Sequence, residues 1–473
     1  MPLKMNKKTW IILFLILALG LCLRLINIDK QSYWMDEALG IYDAGKPGIG
    51  GVIEGLKTDQ PVAPVYFTIL HYWMGLFGSS EAATRALSLI FSCLSIILLF
   101  FSVRIISNEK IALISAFIFS ISLPEIVFSQ ETRYYACFTF FALLSTLFYI
   151  KILKSKKESF MNYFLYFVSG SLSLYTSYFS VLLIFLHFSF FIFAKNPELR
   201  KKKFKYVLIS QVFIMLSFLF WLPTFISQFV YWQDYTKQIF MGYNLPEFIS
   251  NLGLFILISP VIIFVMIIVI FYLFNKKHDL IPRITKWNDK NPYFFLCLVA
   301  LIFILLFPFL IKSKIGVRYF LFLAPAVYFL VARQIFLFRK KLILFLLISI
   351  ILISSVIVYY NMTTKAQWRE AVDFMNITRN DNKGIIILEE GANVWLTNIY
   401  YHGEMKILPL WASESISDDK FMSEMDDKEY AWLILSRNWK RKDYYFDLMS
   451  KNFGSPELEK EFYDIRIYLY NLK

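Results

Sequence analysis

The chain has 473 residues, of which 58% are hydrophobic and 19% aromatic, a net charge of +14 and a mean hydropathy of +0.55. Apolar content at this level excludes an ordinary soluble globular protein and gives a polytopic membrane class. The Lys and Arg residues lie in short loops between apolar spans, so membrane topology accounts for the charge and nucleic acid is excluded as a partner.

The first apolar stretch, Trp10 to Ile26, follows a basic lead of Lys4, Lys7 and Lys8. It is long for a signal peptide and lacks a small-residue cleavage site, so it reads as a retained anchor. A span needs roughly 20 mostly apolar residues. By that measure the chain offers about eleven candidates: 10–27, 85–106, 110–128, 134–152, 161–177, 178–195, 206–226, 249–274, 293–311, 319–338 and 342–360. Only Tyr175-Thr176-Ser177-Tyr178 interrupts the stretch 161–195, and two short spans with a tight turn fit its length. Cys22, Cys93, Cys137 and Cys297 all fall within apolar segments and form no Cys-x-x-Cys pair. That arrangement gives neither a zinc site nor a disulfide framework.

Loop charges alternate along the chain. Lys4/Lys7/Lys8, Arg104/Lys110, Lys151/Lys154/Lys156/Lys157, Lys195 with Arg200 to Lys205, Lys276/Lys277/Arg283/Lys286 and Arg339/Lys340/Lys341 share one side, which the positive-inside rule makes cytoplasmic. Segments 28–84, 129–133, 227–248, 312–318 and 361–473 then face outward, with the N-terminus inside and the C-terminus outside. The expected fold is a polytopic α-helical membrane protein with a C-terminal soluble α/β domain on the outer face of the plasma membrane. The domain division is 1–360 and 361–473.

Two outer regions are more than loops. In 28–84, Pro64 to Phe77 reads as an interfacial amphipathic helix, with Tyr72 and Trp73 suited to the headgroup level. In 361–473, helices are expected at Trp368 to Asn376 and Ala392 to Tyr401. Strands are expected at Gly384 to Glu389 and Tyr430 to Ser436, where Ile and Leu runs are bounded by Gly and charges.

Four motifs carry candidate chemistry. Tyr33-Trp34-Met35-Asp36-Glu37 follows the first span directly. Ionised carboxylates are costly near lipid, so an acidic pair there marks a candidate site. Asp36 could act as general base toward an acceptor hydroxyl or help bind a divalent cation; the alternative is helix capping. Ser129-Gln130-Glu131-Thr132-Arg133-Tyr134-Tyr135-Ala136 lies at the outer junction of the third and fourth spans. Glu131 and Arg133 are either functional or a local ion pair capping the fourth span. Ile315-Gly316-Val317-Arg318-Tyr319 opens the tenth span, and Arg318, near Lys312 and Lys314, could hold a lipid-linked phosphate or snorkel to the interface. In Asp59-Gln60-Pro61-Val62-Ala63-Pro64-Val65-Tyr66 the prolines pin an extended approach to the interfacial helix, and Asp59 and Tyr66 could contact donor or acceptor. His71 on that helix has no partner at metal-ligand spacing.

Taken with Leu174-Tyr175-Thr176-Ser177-Tyr178-Phe179 and Trp221-Leu222-Pro223, these segments resemble a glycosyltransferase of the GT-C superfamily. The likeness is to the branch of protein O-mannosyltransferases and aminoarabinose transferases, and it covers nearly the whole chain. It implies transfer of a mannose-like hexose or similar sugar from a polyprenyl-phosphate donor, on the outer face, to a glycan, lipid or protein acceptor. Asp36 matches the family's first-loop catalytic acid, Glu131 its second acidic position and Arg133 the basic residue beside it. Glu37 would join Asp36 and Glu131 in catalysis. Arg133, Arg318 and Tyr319 would bind the donor phosphate, with Tyr134 beside Asp59 and Tyr66 on the donor or acceptor. Asp36 and Glu131 are the candidate ligands of a divalent cation. One base and one displacement imply inversion at the anomeric carbon. The chain departs from many relatives at Val62-Ala63-Pro64, where they have His-Pro-Pro, and at Thr176-Ser177-Tyr178, where they have Thr-His-Tyr. A lipid-linked sugar flippase and a non-catalytic envelope-assembly subunit are the competing readings. The acidic motifs sit at one face rather than mid-span, unlike a transporter's.

Overall fold

The structure, a computed structural model, describes residues 5–58, 60–193, 203–230, 317–337, 341–410, 417–436 and 442–473. The expected spans 249–274 and 293–311, and residues Asp59, Lys312 and Lys314, lie outside the described residues. The chain divides into two units. One contains Met1–Ile26 and Lys46–Tyr360, the other Asn27–Gly45 and Asn361–Lys473. The segment 27–45, expected as an outer loop of the first domain, is therefore grouped with the C-terminal residues.

In chain order the described helices begin with α1 (Lys7–Leu25), α2 (Met35–Ala44), α3 (Gly48–Thr58), α4 (Val65–Phe77), α5 (Glu81–Ile106) and α6 (Glu109–Ile121). They continue with α7 (Leu123–Val127), α8 (Tyr135–Lys154), α9 (Phe160–Leu174), α10 (Ser180–Phe193) and α11 (Phe204–Ser217). A 3-10 turn at Val317–Leu323 precedes the helices Ala324–Leu337 and Lys341–Asn361. Among the described residues, five helical stretches are long and apolar enough to cross a membrane: Lys7–Leu25, Glu81–Ile106, Tyr135–Lys154, Arg318–Phe336 and Lys341–Asn361. A sixth candidate, Phe204–Phe220 with Leu222–Val230, bends by 69°. Pro223 lies just past the bend and has no N–H to continue the ladder. The chain is a membrane protein on this evidence.

The first unit packs α5 against α8, α6 and α1, and α8 against α9. Leu13 and Ile16 of α1, Ile96 and Phe100 of α5 and Phe119 of α6 share a buried cluster with Val331 and Ile348. Lipid supplies no hydrophobic drive between helices, so close packing must hold them. Gly20 of α1 lies at such a contact: a Cβ there would lie 2.7 Å from Ile96 Cδ1, whose side chain would have to shift. The side chains of Ser80 and Asn108 cap the starts of α5 and α6 by accepting from Ala83 and Ile111 N–H. The expected break in 161–195 is the turn between α9 and α10.

The third expected span is interrupted. After α6 ends at Ile121, Leu123-Pro124 starts the short α7. Fully buried Arg24 reaches the freed carbonyls, donating to Ser120 O at 2.9 Å and Phe119 O at 3.4 Å. It also donates to Gly20 O at 3.0 Å and Ser92 Oγ at 2.9 Å. A guanidinium thereby satisfies the end of a helix that proline prevents from continuing.

The second unit contains a five-stranded sheet in the order β2-β1-β3-β5-β4. Its strands are β1 (Gly384–Leu388), β2 (Lys406–Pro409), β3 (Tyr430–Ser436), β4 (Leu458–Phe462) and β5 (Ile465–Asn471). β1 runs parallel to β2 and β3; β5 is antiparallel to β3 and β4. β1 is buried along its whole length, as a central parallel strand of Ile and Leu should be. Gly384 lets the Tyr430 ring and Met405 close over it, since a Cβ would lie 2.4 Å from that ring. Helices at Trp368–Thr378 and Val394–Tyr400 fall where the sequence places them.

Candidate functional site

Asp36 and Glu37 sit in the first turn of α2. Trp34, extended at φ −101° and ψ 169°, occupies the N-cap, so neither acid is the cap itself. Glu37 is fully buried, and its Oε2 accepts from the Trp34 N–H at 3.3 Å. The same oxygen lies 2.7 Å from Lys365 Nζ. This ion pair gives Glu37 a structural duty that the sequence did not reveal. Asp36 is half-buried. Both carboxylates lie where the helix dipole favours negative charge.

The approach to α2 is tied to residues 364–370 and 400. The Gln31 Oε1 accepts from Thr364 N–H at 2.8 Å and Lys365 N–H at 3.0 Å. Ser32 Oγ donates to Glu370 Oε2 at 2.8 Å and accepts from Arg369 N–H at 3.2 Å. The Tyr33 N–H donates to Tyr400 Oη at 2.7 Å. Tyr42 and Trp395 rings add a tilted contact, with centroids 6.4 Å apart.

In the first unit, Glu131, Thr132 and Arg133 are buried in the turn between α7 and α8. Arg133 Nη1 donates to Gln60 Oε1 at 3.0 Å, and its guanidinium lies 5.7 Å from the Phe67 ring centre and 5.5 Å from that of Tyr134. The Arg133 carbonyl accepts from Ser88 Oγ at 3.2 Å, and that hydroxyl lies 3.0 Å from Tyr66 Oη. Thr132 and Thr84 hydroxyls are 2.8 Å apart. Gln130 Nε2 donates to Arg24 O at 3.0 Å and Ile26 O at 2.7 Å, closing the end of α1.

Arg318 and Tyr319 join this cluster through Tyr135. The Arg318 guanidinium lies 5.9 Å from the Tyr135 ring centre and 5.4 Å from that of Tyr319. Tyr319 stacks on Phe179 at 5.2 Å and 20° and meets Tyr135 edge-on at 6.0 Å. Two guanidinium groups thus rest on one run of aromatic rings. The planar guanidinium stacks on aromatic faces in this way.

The segment leading into α4 is held from the other side. Gln228 Nε2 donates to Leu56 O at 2.6 Å and Gln60 O at 3.1 Å, and Val65 N–H to Tyr175 O at 2.9 Å. Trp221 Nε1 donates to Tyr178 Oη at 2.9 Å, which lies 2.6 Å from Gln228 Oε1. A pocket of about 180 Å³ opens here, lined by Lys57, Thr58, Gln60, Pro61, Ser227 and Gln228.

The structure therefore brings together Tyr66, Glu131, Arg133, Tyr134, Arg318 and Tyr319 within the first unit. Asp36 and Glu37 belong to the second unit. Gln60, Ser88, Phe67, Phe179 and Lys365 were missed as participants. Gln60 and Phe179 stood inside motifs already singled out, but a neutral amide and a phenyl ring carry no sequence signal of their own.

The profile of the family described as Dolichyl-phosphate-mannose-protein mannosyltransferase matches residues 59–221. That stretch holds Gln60, Tyr66, Ser88, Glu131 and Arg133. ArnT from Cupriavidus metallidurans bound to undecaprenyl phosphate superposes with a TM-score of 0.53 at 12% identity, covering 98% of each chain. The chain has a GT-C-like fold. The oligosaccharyltransferase of Archaeoglobus fulgidus, crystallised with Zn and sulfate, gives a TM-score of 0.54 at 11% identity over 93% of this chain and 69% of that one. AglB of the same organism, in complex with an inhibitory peptide and a dolichol-phosphate, gives 0.54 at 11% identity over 94% and 71%. No curated protein matches by sequence.

A metal needs several convergent ligands. Among the described residues, no group of three or more His, Cys, Asp or Glu could hold one. No step is assigned to a cation.

Proposed function

We propose that this protein is a membrane glycosyltransferase that moves a mannose-like hexose or similar sugar from a polyprenyl-phosphate donor to an acceptor hydroxyl on the extracytoplasmic face of the plasma membrane. The observation that carries this reading is the buried Arg133 cluster. Its guanidinium is fixed by Gln60 and two aromatic rings, inside the stretch matched by the family profile and within a GT-C fold.

Asp36 takes the proton of the acceptor hydroxyl as general base. The acceptor oxygen forms its bond to the anomeric carbon as the bond from that carbon to the phosphate oxygen breaks. The leaving polyprenyl phosphate keeps the electron pair, and Arg133 and Arg318 stabilise its charge. Tyr319 supports Arg318, and Glu131 orients the acceptor. Glu37, engaged by Lys365, holds the turn that bears Asp36 rather than touching substrate. A single displacement inverts the anomeric centre.

The test is turnover of a panel of polyprenyl-phosphate sugars in membranes carrying wild type or Asp36→Asn at matched expression. Wild type is expected to release polyprenyl phosphate and Asp36→Asn to release none. Retained configuration in the product would sink the single displacement. Absence of release by wild type with every donor would leave transport or assembly as the function.

A further inference from the structure

We infer that Lys365 is a positioning residue for Asp36, an inference that rests on Asp36 being the base. Lys365 lies more than 300 residues from Asp36 in sequence, just past the helix Lys341–Asn361. Its Nζ meets Glu37 Oε2 at 2.7 Å, with the Glu37 side chain wholly buried and that of Lys365 only 10% exposed. The same oxygen accepts the N–H of Trp34, the N-cap of α2. One ammonium therefore fixes the carboxylate that in turn fixes the first turn of the helix, and Asp36 is in that turn.

The charge arrangement favours geometry over stability as its purpose. Taking a carboxylate and an ammonium out of water costs about as much as their attraction returns, and a packed apolar pair often does as well. What such a pair supplies is one defined arrangement. Here it is reinforced by backbone clamps on both sides: Gln31 accepts from the Lys365 N–H itself, and the Ser32–Glu370 and Tyr33–Tyr400 bonds fix the residues just before the turn. A base displaced by even 1 Å loses rate on the order of 100-fold. In this scheme Lys365 does not meet the substrate. Its effect on the reaction passes through Glu37.

The experiment compares purified full-length wild type, Lys365→Met and Lys365→Arg for kcat and donor KM per folded enzyme. Hydrogen exchange of the amides of residues 35–40 and 384–388 is read in parallel. Lys365→Met is expected to lower kcat on the order of 100-fold with donor KM changed less than about threefold. Lys365→Arg, which keeps the charge, is expected to recover most of that loss. Exchange should quicken at 35–40 in Lys365→Met and stay unchanged in β1.

Wild-type kcat in folded Lys365→Met would overturn the inference. So would a loss in both variants that simply follows the folded fraction. If Lys365→Met does not accumulate, Glu37→Gln replaces it with the same expectations. If wild type turns over no donor, the transferase reading fails, and exchange alone decides whether Lys365 holds the turn: faster exchange at 35–40 supports that, unchanged exchange overturns it.

Discussion

In the proposed function, Arg133 serves a phosphate only while its side chain stays where Gln60 and the rings of Phe67 and Tyr134 put it. A hydrogen bond to a charged group contributes about 1.5–3 kcal/mol. Gln60→Ala should therefore raise donor KM roughly ten- to a hundred-fold, measured by turnover at varied donor, with less change in kcat. Tyr66→Phe is a useful contrast. It removes the hydroxyl 3.0 Å from Ser88, while Ser88 keeps its bond to the Arg133 carbonyl. The expected cost is about 1 kcal/mol of stability, read by thermal denaturation, with donor KM nearly unchanged. Glu390, at the carboxyl end of β1, titrates for a different reason. Burial pushes its carboxyl above the ordinary 4.5, against the opposing bond from Ser436. The folded state then holds a proton that the unfolded state has released. Its contribution is fully present below pH 4.5 and is lost as pH rises through the raised value. Glu390→Gln should remove that part of the decline, seen as a flatter melting temperature as pH rises above 4.5.

Elements were legible where one physical cause dominated. The Ile run of β1 and the apolar run of β3 could hardly be anything but buried strands. Helix α4 was marked by its proline-bounded start and aromatic face. β4, Leu-Glu-Lys-Glu-Phe, is mostly exposed at the sheet's edge, and its charges hid it. β5 begins Ile-Arg-Ile and was hidden likewise. The short α2 and α3 flank Gly45 and Pro47, which read as loop. In the site, charges at a membrane edge pointed to Glu131 and Arg133, whereas Lys365 looked like another loop lysine because its partner is so distant in sequence. Arg24 passed unnoticed inside a hydrophobic span. Its role is now testable: Arg24→Met removes the donor from the carbonyls of Gly20, Phe119 and Ser120. It should destabilise the bundle by roughly 2–4 kcal/mol, measured as loss of folded protein on heating in detergent.

At the scale of the whole molecule, the C-terminal unit is built from two stretches of chain far apart in sequence. A protein ending at Asn361 would keep 27–45 but lose Lys365, Glu370, Tyr400 and Trp395. Limited proteolysis should then cut within 27–45 in the shortened protein and spare that stretch in the full chain. The two stretches are also made at different times. At synthesis rates of about 5–20 residues per second, roughly 15–70 s pass between translation of Glu37 and translation of Lys365. Throughout that interval the acidic turn has emerged without the lysine that orders it. If the proposed function holds, no donor is turned over before Lys365 has been made. The acidic turn is completed late in synthesis, so the division of the domain acts as a clock on the ribosome's work.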